Sequence, residues 1–142
     1  MILFVDDEPR YSRPYLDKLC QQYEVTYTGI IDDVMRLLRE AGPGEVELLI
    51  LDIMMPPSES FSDADTRDGL DTGIELFNRV REKHPRLPVI VLTNVTEETV
   101  ARRFESEPNC WFLRKRDCLP HELNQKVKEI LTGEATLKNN AL

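Results

Sequence analysis

Four places in the chain put acidic, hydroxyl or basic side chains directly after a short apolar run. Asp6 and Asp7 follow Ile2 to Val5, Asp52 follows Leu48 to Leu51, Thr93 follows Val89 to Leu92, and Arg114 and Lys115 follow Trp111 to Leu113. If the runs are neighbouring parallel strands, three carboxylates, one hydroxyl and one ammonium converge on one edge of a sheet, where open α/β folds build their sites. Carboxylates held together repel and raise one another's pKa unless a cation sits among them. A hard divalent ion with oxygen ligands meets that need, Mg2+ above all, because it accepts few carboxylates and keeps several waters. Such a site is suited to a phosphoryl group, whose oxygens share the metal while the Thr93 hydroxyl and Lys115 take the rest.

The elements that must position these groups are legible in the spacing. The four runs lack polar alternation, as strands covered on both faces do in parallel sheets. Glu24 to Thr28 alternates Val25 and Tyr27 with Thr26 and Thr28, which predicts a half-exposed edge strand. Helical spacing joins Ile31, Val34 and Leu38; Ile74, Phe77 and Val80; and Leu119, Leu123, Val127 and Ile130. Another helix is expected over Arg10 to Tyr23 through Leu16 and Leu19, with Pro14 in its first turn or kinking it. A short one is expected over Thr96 to Phe104, capped by Asn94 or Thr96 with Val100 and Phe104 inward. Strands alternate with helices five times, the pattern of an open α/β sheet with right-handed crossovers.

Composition narrows the class. The chain has 142 residues, 18 Lys plus Arg and 26 Asp plus Glu, a formal charge of −8. That balance argues against nucleic acid or anionic membranes as partners through bulk charge. With 41% hydrophobic residues the chain is too apolar for a disordered acidic one. Cys20, Cys110 and Cys118 are an odd number without C-x-x-C spacing, against a disulfide framework or a zinc site. They are expected as buried or inert thiols of a reducing cytoplasm. No apolar run reaches the roughly 18 residues of a membrane span. Residues 1–132 read as one domain, and 133–142, which lack periodicity, as a flexible tail or linker.

Four segments together resemble the receiver domains of two-component response regulators, over Met1 to Leu131. They are Val5-Asp6-Asp7-Glu8-Pro9, Asp52-Ile53-Met54-Met55-Pro56, Leu92-Thr93, and Phe112-Leu113-Arg114-Lys115, each weak alone but correctly ordered on the expected elements. The resemblance implies a flavodoxin-like five-stranded parallel sheet of order 2-1-3-4-5 with helices on both faces. It implies that Asp52 is the phosphoacceptor, taking a phosphoryl group from a sensor histidine kinase or phosphotransfer protein. Asp6, Asp7, Asp52 and the backbone carbonyl of Met54 would hold Mg2+, Thr93 would bind a phosphoryl oxygen, and Lys115 would pair with the phosphoryl group or, before phosphorylation, with Asp52. Phe112 matches the aromatic switch position, whose inward turn accompanies movement of Thr93; a plain core phenylalanine is the competing account. The implied protein is cytoplasmic. It is a switch that catalyses its own phosphorylation and dephosphorylation, not an enzyme with a separate substrate. Its output is a downstream protein target or output domain, without direct nucleic-acid or membrane binding. Arg102, Arg103 and Glu122 are candidates for the partner face, and each reads equally well as solvated helix surface.

Several residues depart from the family pattern. Pro56 to Gly73 spans 17 positions, an insertion of about 13 residues over 57–70 that reads as an acidic solvated loop or, alternatively, a lid or recognition loop. Gly73 is expected to start the following helix, since enclosing it would cost about 1 kcal/mol. Arg116 stands where the family usually has a proline, often after a cis bond. A cis bond here would cost about 2.5 to 4 kcal/mol, so a trans link with a shifted loop, or a strained link, is expected. Asn94 replaces a small residue and is placed to crowd or hydrogen-bond the pocket. Met54 and Val95, apolar where the family manages the attacking water, predict slow autodephosphorylation. The Asp71-Thr72-Gly73 triplet of aspartic proteases opens a helix here and carries no weight, and His84 and His121 read as surface residues. A phosphorylation-independent interaction module is the second reading, and a small Mg2+-dependent phosphohydrolase the third.

Overall fold

The computed structural model describes residues 1–55 and 70–133. Along the chain run β1 (Ile2–Val5), α1 (Pro9–Leu19), β2 (Val25–Thr28), α2 (Ile31–Glu40), β3 (Leu48–Leu51), α3 (Leu70–Lys83), β4 (Val89–Thr93), α4 (Glu98–Glu105), β5 (Cys110–Arg114) and α5 (Pro120–Leu131), with a 3-10 turn at Lys115–Asp117. The strands form one parallel sheet in the order β2-β1-β3-β4-β5. The expected order therefore holds.

Alternate side chains of each central strand enter opposite layers, which is why their runs are continuously apolar. Leu3, Val5, Leu49, Leu51, Val89, Val91, Cys110 and Phe112 pack with residues of α2, α3 and α4. Ile2, Phe4, Leu48, Ile50, Ile90, Leu92 and Trp111 pack with α1 and α5. Only Thr28 of β2 is buried, as its alternation predicts for an edge. No described helix is long and apolar enough to cross a membrane.

Several boundaries differ from expectation, each for a tertiary reason. The first helix starts on Pro9 and stops at Leu19, its last inward residue, before exposed Cys20, Gln21 and Gln22. Pro14 lies inside it, beyond the first turn. The fourth helix begins at Glu98 with Glu97 as an N-cap that makes no side-chain bond. Neither Asn94 nor Thr96 caps it: residues 94–97 lie outside regular structure, with Val95 buried in the core and Glu97 extended. Leu119 is 58% exposed and not on the apolar stripe of α5; it is the N-cap, whose N–H donates to the Glu122 carboxylate at 2.8 Å. Cys20 is exposed, unlike Cys110 and Cys118, and none of the three forms a disulfide. Residues 57–69 of the proposed 57–70 insertion, with Pro56 before it, and residues 134–142 of the proposed 133–142 tail lie outside the described residues.

Gly73 is the instructive correction: α3 is already helical at Leu70, so the glycine sits inside the helix. A Cβ there would overlap the carbonyl and Cα of Ile53, one residue past Asp52. Close approach of α3 to the loop after β3 outweighs the helix-propensity cost. Gly73→Ala is therefore expected to destabilise the fold by about 1–3 kcal/mol in urea unfolding, against the gain of about 1 kcal/mol that propensity alone predicts.

Candidate functional site

Parallel pairing sets the heights of the strand ends. Val5 is level with Thr28 on one side and Leu51 on the other, so Asp6 and Asp52 leave adjacent strands together. Thr93 is level with Arg114, which brings the hydroxyl and the following Lys115 to the same edge. Asp6, Asp52 and Thr93 are buried, whereas Asp7 is half-buried.

The Lys115 ammonium bridges two carboxylates, at 2.7 Å from Asp6 Oδ2 and 2.8 Å from Asp52 Oδ2. Asp52 Oδ1 accepts the Thr93 hydroxyl at 2.8 Å and the Met54 N–H at 2.9 Å. The Glu8 N–H donates to Asp6 Oδ1 at 2.9 Å. Asp7 Oδ1 is buried and has no hydrogen-bond partner among the described residues. One carboxylate oxygen from each of Asp6, Asp7 and Asp52 can lie within 4.8 Å of the others.

Burial pushes the Asp52 carboxyl above its usual range, and the opposing pull of Lys115 and of the hydrogen bonds does not cancel it. Asp7 is also raised, by burial first and then by the charges of Asp6 and Asp52. Burial lowers Lys115, but Asp52 and Asp6 together carry it above the ordinary lysine range. An orphaned carboxylate oxygen beside two others, with hard oxygen donors only, fits a small divalent cation.

Two tyrosines that the spacing did not single out hold the loops. The Tyr27 hydroxyl donates to the Asp6 carbonyl at 2.5 Å. That of Tyr15 donates to the Cys118 carbonyl at 2.6 Å and lies 3.2 Å from the Lys115 carbonyl. The signal was weak: Tyr15 lies four residues before Leu19 on the inward face of α1, and Tyr27 looked like ordinary strand alternation. Tyr15 thus steadies the turn in which Arg116 replaces proline, and there is no cis peptide bond among the described residues. Phe112 is turned inward and 9% exposed, its ring 6.3 Å from that of Phe104 at an interplanar angle of 14°. Asn94 is exposed, so the expected crowding of the pocket does not occur, while Val95 faces the core and Met54 packs against it. Of the three partner-face candidates, Arg102 and Glu122 are exposed and Arg103 is half-buried; Arg103 bonds Asn78 of α3 at 2.7 Å, and Glu122 caps α5.

The sequence matches the family described as "Response regulator receiver domain" over residues 2–128. Solved structures with the same fold include the receiver domain of NtrX from Brucella abortus, 20% identical with a TM-score of 0.73, covering 93% of this chain and 98% of that one. A CheY-like receiver domain protein from Methanospirillum hungatei JF-1 is 19% identical with a TM-score of 0.70, covering 93% of each chain. The BeF3-activated DrrB receiver domain is 23% identical with a TM-score of 0.68, covering 92% of this chain and 96% of that one. These identities carry the fold, and the family match over nearly the whole chain carries the assignment: this protein belongs to the receiver domains of two-component response regulators.

Proposed function

We propose that the chain is a phosphoacceptor switch of a phosphorelay in which Asp52 is the acceptor. The observation that carries this reading is the Asp52 carboxylate, buried and contacted at 2.8 Å by both the Thr93 hydroxyl and the Lys115 ammonium. One Asp52 oxygen attacks the phosphorus of a phosphohistidine on a sensor kinase or phosphotransfer protein. The P–N bond breaks, its electron pair leaves with the imidazole nitrogen, and the product is an acyl phosphate on Asp52. Thr93 then turns its donor from the carboxylate to a phosphoryl oxygen, and Lys115 follows the new charge. Asp6, Asp7, Asp52 and the Met54 backbone carbonyl are the groups that would hold Mg2+. When bound, the ion would neutralise the clustered carboxylates and the charge spreading over the phosphoryl oxygens.

Phosphorylation adds charge where Thr93 and Phe112 are packed, so re-packing there alters the affinity of a downstream protein target or output domain. The free thiols and the absence of a long apolar helix among the described residues are consistent with action in the cytoplasm. Met54 and Val95 place no polar side chain beside Asp52 to orient water, which supports a long-lived acyl phosphate.

Electrostatics supply the first test. Because folding raises the Asp7 pKa, its ionised form opposes folding above the folded-state value, which lies above 3.8, and the penalty disappears as pH falls through that value. In divalent-free buffer at neutral pH, Asp7→Asn should raise Tm by a few degrees, on the order of 0.5–1 kcal/mol after solvent screening. That gain should fade on acidification, and Mg2+ should stabilise the wild type more than the variant. The function itself is tested with Mg2+ and acetyl phosphate or beryllofluoride, the latter chosen because the DrrB neighbour is described as BeF3-activated. Wild type should gain one phosphoryl group by intact mass and show amide shifts around Asp52, Thr93 and Phe112, and Asp52→Asn should do neither. No response in wild type, or an unchanged response in Asp52→Asn, would sink the proposal and favour a phosphorylation-independent interaction module. A phosphoryl mass lost within seconds of donor removal would count against the long lifetime.

A further inference from the structure

Between Phe112 and Lys115, β5 carries Arg114, two residues from Phe112 and therefore on the same sheet face. Its guanidinium carbon lies 5.5 Å from the centre of the Phe112 ring. Its Nε donates to the Val95 carbonyl at 3.3 Å, and its Nη2 pairs with Glu98 Oε1 at 3.2 Å. One side chain, 24% exposed, thus touches the inward aromatic ring, the backbone two residues after Thr93, and the first residue of α4. The contacts are unequal. Glu98 is 67% exposed, so the ion pair itself holds little, whereas the ring contact and the backbone acceptor are partly sheltered.

We infer that Arg114 is a positioning residue for the switch. It keeps Phe112 in its inward place and fixes the 94–97 segment, so that the Thr93 hydroxyl stays against Asp52 before any phosphoryl group arrives. The inference rests on the reading of Asp52, Thr93 and Phe112 given above, and it adds a residue that biases that switch toward the inward arrangement. The planar guanidinium is essential: a lysine can still pair with Glu98 but cannot both lie over the ring and direct a second donor to the Val95 carbonyl.

The test uses the whole chain and two independent readouts. In divalent-free, unphosphorylated protein, the nuclear Overhauser contact between the Phe112 and Phe104 rings and the amide shifts of Thr93 and Val95 are compared in wild type, Arg114→Ala, Arg114→Lys and Glu98→Gln. The ring contact should weaken and the two amides should move in Arg114→Ala and also in Arg114→Lys, while Glu98→Gln stays near wild type. With Mg2+ present, the beryllofluoride concentration for half-saturation should rise roughly two- to fivefold in Arg114→Ala, the ratio that loss of one cation–π contact supports. An unchanged ring contact in both Arg114 variants, or full restoration by lysine, overturns the inference. If Arg114→Ala does not fold by thermal melt, Arg114→Lys decides alone. A wild type that ignores beryllofluoride defeats the phosphoacceptor reading, and the ring contact still reports on Arg114 by itself.

Discussion

An ammonium shared by two buried carboxylates is the interaction on which the arrangement of the site depends. Taking Asp6, Asp52 and Lys115 out of water costs several kcal/mol for each ion, and attraction between them repays that only with close geometry and with the remaining lone pairs satisfied. Both conditions are met: Lys115 sits within 2.8 Å of each acid, and Glu8, Met54 and Thr93 donate to the other oxygens. The compensation is incomplete. One ammonium faces three acids, Asp7 retains an unpaired buried oxygen, and the carboxyls of Asp7 and Asp52 are both displaced upward. A site left with surplus negative charge and hard oxygen donors is prepared for a cation, and the two apolar layers of the sheet provide the stability that tolerates it.

The sheet acts as a ruler for that geometry. Parallel pairing of strands four or five residues long brings their ends level, so residues from positions 6 to 115 meet at one edge of the sheet. Precision beyond the ruler comes from the loops. Tyr27 ties down the carbonyl of Asp6, Tyr15 ties down the turn after β5, and Gly73 lets α3 approach the backbone next to Asp52. Each of these contacts acts on the backbone beside a charged residue, which leaves the charged side chains free for exchange with a ligand.

Inward packing of Phe112 and the bond from Thr93 to Asp52 occur together in this structure. They are joined through β5 and the segment after β4, where Arg114 spans from the ring to the Val95 carbonyl. Under the proposed function, a change in charge at Asp52 would have a physical route to the α4 and β5 surface through this shared segment.

The amino-acid sequence by itself determined the strands, the alternation of helices between them and the polar residue at each strand end. Burial on both faces leaves an unbroken apolar run, and the following charge cannot continue it, so Leu48–Leu51 and Asp52 were legible without coordinates. Converging acids with a hydroxyl and an ammonium already pointed to a cation and a phosphoryl group, whereas the individual roles proposed for Asp6, Asp7, Asp52, Thr93, Lys115 and Phe112 come from resemblance to a family, because spacing says which groups meet and not what each does. Tertiary structure alone decided that Lys115 bridges Asp6 as well as Asp52, that Gly73 lies within a helix, that Leu119 faces water, and that Tyr15, Tyr27 and Arg114 brace the site. Periodicity records which side of an element is buried. Hydrogen-bond partners, close backbone approaches and shared charges depend on distances between residues remote in the chain, and those exist only once the elements have packed.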